Sequence, residues 1–355
     1  MADLSASSIS LSSNEVTAEL TEISVNPAEA YERGKTDINF FAQVAMPNVA
    51  VFDWPAFYIA IWQILVSRDE KDIGKILRFA LGLPRGHAKT TFIKLVTVWL
   101  IVYDKVTFAL LLCANEPLAE QLVADVNDML GSPNIEAIYG AWTSVLTTDT
   151  KELKKAWYHN RPVIIAAKGA GSSLRGLNIK HARPDFIFCD DLQTRENDES
   201  PAESARLLRW IVATMLKVIA PRGNRLIVYV GNMYSEECIL MKLKNNPGWI
   251  SFVTGAILSS GKPLWPELHS LDELMESYYH DEALGLADLW FAEVMNDPKS
   301  TATSLLSSPL PDVFPDKDKQ PDGVFITIDP AGFRDISDDN VIVLHEVIDG
   351  IGVVR

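Results

Sequence analysis

The chain has 355 residues, 48% of them hydrophobic, and its 47 acidic and 32 basic side chains leave a net charge of −15. That length and apolar content support a large core and about two domains, while so acidic a balance argues against a protein that coats nucleic acid by bulk attraction, although a few local Lys and Arg residues suffice to hold a charged polymer. No apolar run reaches the roughly 18–20 residues of a bilayer span and no signal-peptide order opens the chain, so the sequence reads as a soluble intracellular protein with no membrane partner, whose scattered Cys113, Cys189 and Cys238 are buried reduced thiols.

Residues 1 to about 35, rich in Ser, Ala, Glu and Asn and poor in aromatics, predict a mobile arm or a short docking helix. From Phe52 through Gln63 apolar residues recur at helical spacing, and a core domain over 36–233 takes shape there. An alternation follows: a strand over 77–83, a helix over about 88–103, a strand over 106–113 and a helix over about 116–130. Strands near 162–167 and 185–190, a helix over about 200–219 and a strand over 225–230 continue it. Continuously apolar strands interleaved with helices predict an α/β fold, a parallel sheet covered on both faces. Residues 234 to about 300 read as helical. The stretch 301–322, broken by Pro309, Pro311, Pro315 and Pro321, predicts a linker. Val324 to Asp329 and Val341 to Glu346 read as strands, and the chain stops at Arg355 too soon for them to complete a domain, so it reads as a fragment of a longer protein.

Chemistry gathers at Gly82-Leu83-Pro84-Arg85-Gly86-His87-Ala88-Lys89-Thr90-Thr91, which joins an apolar strand to an amphipathic helix. A phosphate-binding loop places a lysine for the β- and γ-phosphates and a hydroxyl for Mg²⁺ at the helix start. Lys89 and Thr90 stand there, with Thr91 beside them. The template's glycines fall at Leu83 and Ala88, while Gly86 is the glycine that lets the backbone turn. Arg85 offers a cation for charge developing on a γ-phosphate, or else makes a surface salt bridge. His87 is read as shaping the loop rather than as a base.

An ATP site also requires a carboxylate for Mg²⁺ and a group that orients water. Pro184-Asp185-Phe186-Ile187-Phe188-Cys189-Asp190-Asp191 is a buried strand ending in two acids, with Asp190 to hold Mg²⁺ and Asp191 to position the attacking water. The plainer alternative is a turn or a helix cap. The long interval from Lys89 to Asp190 leaves room for an intervening strand, as in NTPases of the additional-strand class (ASCE, RecA-like). Val228-Tyr229-Val230-Gly231-Asn232 ends a strand at an amide placed to sense a γ-phosphate, or at a turn. Gln63 offers its amide to adenine, or faces solvent. The glycine-rich, basic stretch from Lys168 to Gly176 is either a mobile hairpin that touches a polymer or a neighbouring subunit, or an ordinary turn. Asp329, followed by Asp335, Asp338 and Asp339, sits where two-metal nucleases of the ribonuclease H type carry a first metal-bridging aspartate, with the other ligands due from later strands and a solvated turn as the plainer reading of Asp338-Asp339.

In this order the set resembles the large terminase subunit of tailed bacteriophages, over about residues 50–355. Pro84 through Thr90, Leu174-Arg175-Gly176, Arg183 through Asp191, Gly231-Asn232 and Ile328-Asp329-Pro330-Ala331 carry the resemblance. It implies a P-loop ATPase that drives double-stranded DNA through a portal protein into a procapsid, with a helical lid over 234–300. It also implies a C-terminal ribonuclease H-like, metal-dependent endonuclease, of which 323–355 is the start. By that resemblance Arg85 is the loop arginine, Lys89 and Thr90 are the phosphate and Mg²⁺ ligands, Asp190 and Asp191 the acid pair, and Asn232 belongs to the element coupling ATP hydrolysis to motion. Such motors form rings, often pentameric, on the portal in the host cytoplasm and work with a small terminase subunit. Leu83, Ala88 and Asp191, where glutamate is usual, depart from the pattern. A helicase or small-molecule kinase, and a ring-forming structural subunit with a degenerate loop, stay open as alternatives.

Overall fold

Residues 26–66, 76–174, 179, 182–298, 323–329, 341–348 and 351–354 are described by a computed structural model. The chain divides into two units, Met1–Lys299 and Ser300–Arg355. Helices α1 (Pro27–Gly34), α2 (Ile38–Ala45) and α3 (Ala56–Val66) open the first unit. The alternation then runs β1 (Ile76–Gly82), α4 (Lys89–Val102), β2 (Phe108–Cys113), α5 (Glu116–Leu130) and α6 (Pro133–Tyr139). An antiparallel run, β3 (Leu146–Asp149), β4 (Leu153–Tyr158) and β5 (Arg161–Gly169), leads to β6 (Phe186–Asp190). After α7 (Arg195–Glu199), α8 (Pro201–Trp210), a π-helical turn over Ile211–Met215 and α9 (Leu216–Val218) follow one another without a break, as the single helix expected over 200–219. Then come β7 (Arg225–Gly231), α10 (Ile239–Lys244), β8 (Ile250–Val253), α11 (Leu271–Ala283) and α12 (Ala287–Val294).

Eight strands form one sheet in the order β3-β4-β5-β2-β6-β7-β1-β8, and from β5 to β8 every neighbouring pair is parallel. Side chains alternate along each strand, so the continuously apolar runs feed two cores at once. Phe79, Leu111, Phe188 and Val228 pack against α2 through α6, whereas Ala80, Leu110, Ile187 and Tyr229 face Leu207, Ile211 and Leu240. This is the doubly covered parallel sheet that the alternation predicts. All three cysteines are buried free thiols. Among the described residues no helix is long and apolar enough to cross a membrane.

Two expectations need correction. Residues 234–300 are not helical throughout: Ile250–Val253 forms β8, which pairs in parallel with β1 at the edge of the eight-stranded sheet. Four residues of an edge strand, set in a polar surround, leave too short a run for a periodic signal. The arm expected over 1–35 is helical and packed from Pro27 onward. Trp99 Nε1 donates to Gly34 O at 3.1 Å, Trp62 Nε1 to Thr36 O at 3.1 Å, and Tyr103 Oη to Tyr31 O at 2.6 Å. Residues 1–25 of the expected arm lie outside the described residues.

The second unit contains an antiparallel sheet in which β10 (Val341–Ile348) pairs with both β9 (Gly323–Asp329) and β11 (Ile351–Val354). Asp329 closes β9. The linker over 301–322, Arg175, Gly176 and the acids Asp335, Asp338 and Asp339 lie outside the described residues.

Candidate nucleotide site

In a parallel sheet flanked by helices, the loops at the carboxyl ends of the strands form the natural crevice for a ligand. β1, β6 and β7 deliver their last residues there together. The strand that separates β1 from β6 in the sheet is β7, which follows both of them in the chain. Its end brings Asn232 between the loop and the acid pair.

The loop after β1 turns through two left-handed residues, Gly86 at φ +79° and Ala88 at φ 56°. Glycine adopts that conformation freely and alanine does so only at a cost. Ala88 therefore holds the backbone shape that the template's glycine would supply, and α4 starts after it with no side-chain cap. An aromatic layer supports the loop from beneath. Trp54 and Tyr58 lie 4.9 Å apart between ring centroids, Tyr58 and Phe92 4.7 Å, and Trp54 and Trp265 5.3 Å. Tyr58 Oη donates to the His87 carbonyl.

His87 is buried in the loop. Its Nδ1 pairs with Arg85 O at 3.1 Å, its Nε2 is buried without a hydrogen bond, and burial lowers its pKa to about 4, which keeps the ring neutral. His269 reaches the same loop from the segment before α11, with Nε2 3.3 Å from Gly86 O.

The side chains expected to bind phosphate and metal converge. Lys89, only 8% exposed, donates from Nζ to Asn232 Oδ1, and the same Nζ lies 3.5 Å from Asp191 Oδ1 as an ion pair. Thr90 Oγ1 is 3.0 Å from both carboxylate oxygens of Asp190. Burial, and next the charge of Asp191, raise the Asp190 pKa to about 6 against the opposing Thr90 hydrogen bond and the cations Lys89 and Lys94. Asp191 turns sharply off β6 at φ 43° while its N–H donates to Val230 O at 3.1 Å. Short polar residues such as Asp tolerate that conformation, and here it aims the carboxylate toward Lys89.

Two expected residues stand apart from this cluster. The Arg85 side chain, 72% exposed, pairs with Glu293 on α12 at 2.6 Å. Gln63 is exposed on α3 and makes no hydrogen bond to the loop. Asp329 belongs to the second unit. Thr91 follows Thr90 in the first turn of α4.

Other residues join the site without any sequence signal. Glu293 is one, and its main-chain O accepts from Arg85 N–H at 2.9 Å. Arg195 opens α7, four residues past Asp191, and its guanidinium lies 5.5 Å from the Tyr234 ring centroid. Tyr234 hydrogen-bonds Asn232, and burial raises its pKa to about 12. No periodicity or short motif marks these positions, because the pairing of distant loops creates their roles. Asn296, buried at the end of α12, accepts from Met233 N–H at 3.2 Å and donates to Thr254 O at 2.9 Å, which ties the ends of β7 and β8 together.

The arrangement suits a Mg²⁺-bound nucleotide. A hard cation takes oxygen ligands such as the Thr90 hydroxyl and the Asp190 carboxylate, and a buried ammonium facing an amide oxygen and a carboxylate is one an anionic phosphate would stabilise. Among the described residues no group of three or more His, Cys, Asp and Glu gathers as an independent metal centre.

No family model and no curated protein matches the chain. Solved structures do. The chain is similar to a protein of bacteriophage HK97 at 14% identity and a TM-score of 0.48, over 91% of this chain and 67% of the other. It is similar to a point variant of an ATPase domain from Thermus phage P74-26 at 13% identity and a TM-score of 0.46, over 69% and 94% of the two chains. A protein of another thermophilic bacteriophage is similar at 9% identity and a TM-score of 0.41, over 85% and 67%. All three are large terminases. The chain spans about two thirds of the length of the first and third of these.

Proposed function

We propose that this chain carries the ATPase of a DNA-packaging motor of the large-terminase type, hydrolysing Mg-ATP to move double-stranded DNA through a portal into a procapsid. The observation that carries the reading is the convergence of Lys89, Asn232, Asp191, Thr90 and Asp190 at the ends of three adjacent parallel strands. The order of motifs along the chain supports the terminase assignment over other P-loop enzymes. A ring of copies on the portal and a small terminase subunit as partner belong to the same proposal.

In this reading Lys89 binds the β- and γ-phosphates, Thr90 and Asp190 hold Mg²⁺, and Asp191 orients the attacking water. Asn232 senses the γ-phosphate through its bond to Lys89, and Arg85 supplies charge to the transferring group. The bound cation would neutralise phosphate charge. Asp190, with its raised pKa, then sits beside a group that favours its ionised form.

Lys89→Ala tests the site. DNA-stimulated ATP hydrolysis should fall by at least about 100-fold, the scale of losing one charge-stabilising group, and undiminished turnover would sink the assignment. Duplex unwinding in a strand-displacement assay would favour a helicase. Failure of the wild-type chain to bind labelled ATP would favour a structural ring subunit.

The antiparallel β9–β10–β11 sheet, with Asp329 closing its first strand, supports reading the second unit as the opening strands of a ribonuclease H-like nuclease. One aspartate is short of the ligand set that two metals need. Metal-dependent cutting of plasmid DNA by the 355-residue chain would contradict this reading.

A further inference from the structure

Gln193 follows the acid pair after β6 and is only 4% exposed. Its neutral amide donates at one end and accepts at the other, and both ends are engaged. Nε2 donates to Asp198 Oδ1 on α7 and to Ser204 Oγ on α8, each at 3.0 Å, and Oε1 accepts from Ile239 N–H at the start of α10 at 2.8 Å. One side chain therefore joins the segment after β6 to three helices. Among the described residues none of these bonds reaches the loop after β1 or α4, where Lys89 and Thr90 stand.

Two further observations connect Gln193 with chemistry rather than with folding alone. The chain between it and Asp191 has no slack: Asp191 N–H donates to Val230 O at 3.1 Å, and Leu192 is fully buried in the core with Leu207 and Ile239. Asp191 itself sits at φ 43°, and a residue keeps so sparsely populated a conformation only where the chain around it is held. The same bonds also reach the segment after β7. Asp198 hydrogen-bonds Ser235 as well as Gln193, and Ser235 and Ile239 both follow Asn232 in the chain. Asp191 and Asn232, which approach Lys89 from different strands, are thus tied to each other through Gln193.

We propose that Gln193 is a positioning residue for ATP hydrolysis: it fixes the direction of the Asp191 carboxylate and the place of the Asn232 segment, and adds nothing to nucleotide affinity. It acts through Asp191 and touches neither phosphate nor metal. Binding and hydrolysis then depend on different anchors, since α4 places Lys89 and Thr90 while Gln193 holds the carboxylate that orients the attacking water. The inference rests on that reading of Asp191.

DNA-stimulated turnover at saturating ATP, and calorimetric titration with Mg²⁺ and a non-hydrolysable ATP analogue, both on the full chain, test it. Gln193→Glu keeps the size of the side chain and the acceptor for Ile239 N–H, but loses both donors and sets a carboxylate against that of Asp198. Its kcat should fall about 10-fold to 100-fold, the scale of misplacing a group by roughly 1 Å, while analogue affinity stays unchanged. Adding Asp198→Asn reverses the bond, so that an amide on α7 donates to the carboxylate, and the Ser204 hydroxyl can donate where it accepted before. The double variant should recover most of the lost kcat. Ser204→Ala, which removes a single acceptor, should lower kcat about threefold to fivefold at unchanged affinity, and serves if the glutamate variant does not fold. Unchanged kcat in Gln193→Glu, or in Ser204→Ala where the former does not fold, would overturn the proposal. So would kcat and affinity falling together, or a double variant no faster than Gln193→Glu, because a purely structural amide lowers the urea midpoint without separating turnover from binding. Wild-type turnover in Asp191→Asn, or no ATP hydrolysis by the wild-type chain, would instead overturn the site assignment, and the proposal with it.

Discussion

Ala88 and Asp190 each hold the site in a state the isolated residue disfavours. The left-handed conformation costs Ala88 about 1–2 kcal/mol, and a glycine there would give back about 0.4–1 kcal/mol as extra freedom of the unfolded chain. Ala88→Gly should therefore stabilise the protein by about 0.5–1 kcal/mol, read as a higher urea midpoint, and a lower midpoint would show that the Ala88 methyl makes packing contacts worth more than the strain. For Asp190 the sign is opposite to that of a paired surface carboxylate. Its folded pKa of about 6 lies above the ordinary 3.8, so the folded state binds the proton more tightly. The corresponding stability is present in full below about pH 4 and is lost as pH rises toward 6. In metal- and nucleotide-free protein, Asp190→Asn should raise stability by about 1–3 kcal/mol at pH 8 and by nothing near pH 4. A gain of equal size at both pH values would show that ionisation is not its source.

Elements place these residues, and they differ in how openly the sequence announces them. The strand before the loop, the helix after it and the acid-terminated strand were legible because long apolar runs bounded by Gly, Pro and Asp have few other solutions. β8 and the β3–β4 hairpin were not. In β4, Lys154 points inward and is neutralised by Asp149, which disguises the period-2 pattern behind a charge. Most of the binding cluster could be read from strand ends, since Lys89, Thr90, Asp190, Asp191 and Asn232 all follow apolar runs. Arg195 and Glu293 could not, because their partnership exists only once α7 and α12 meet the loop. Helix α1 shows how tightly an unremarkable segment can be held. A Cβ on Gly34 would lie 2.8 Å from Tyr103 Oη and would also crowd Tyr139 Oη. Gly34→Ala should therefore cost about 1–3 kcal/mol by overpacking. An unchanged thermal midpoint would mean that the two tyrosines move aside freely.

For the whole molecule, the division after Lys299 matters most. Every residue of the binding cluster, both faces of the sheet's core and the α12 contacts lie within Met1–Lys299. A chain ending at Lys299 should accordingly unfold in one cooperative transition and bind the ATP analogue with the affinity of the 355-residue chain. Loss of binding in a folded truncation would place part of the site in the second unit. The acidic charge argues against bulk attraction to nucleic acid and leaves room for local contacts. The polymer-contacting role read for Lys168 through Gly176 stays a proposal, with Arg175 and Gly176 outside the described residues.

The insertion of β7 between β1 and β6 also bears on how the protein is made. During synthesis the phosphate loop and the acid pair both emerge before the strand that lies between them in the sheet. Until Arg225–Gly231 is available, β1 lacks the neighbour that joins it to β6, and Lys89 lacks the amide of Asn232. Sites built from such distant pairings form late, because loop closure must precede the contacts that reward it. A nascent chain shorter than about 232 residues would thus expose its apolar strands, and the Lys89–Asn232–Asp191 cluster would form in a single step as β7 docks.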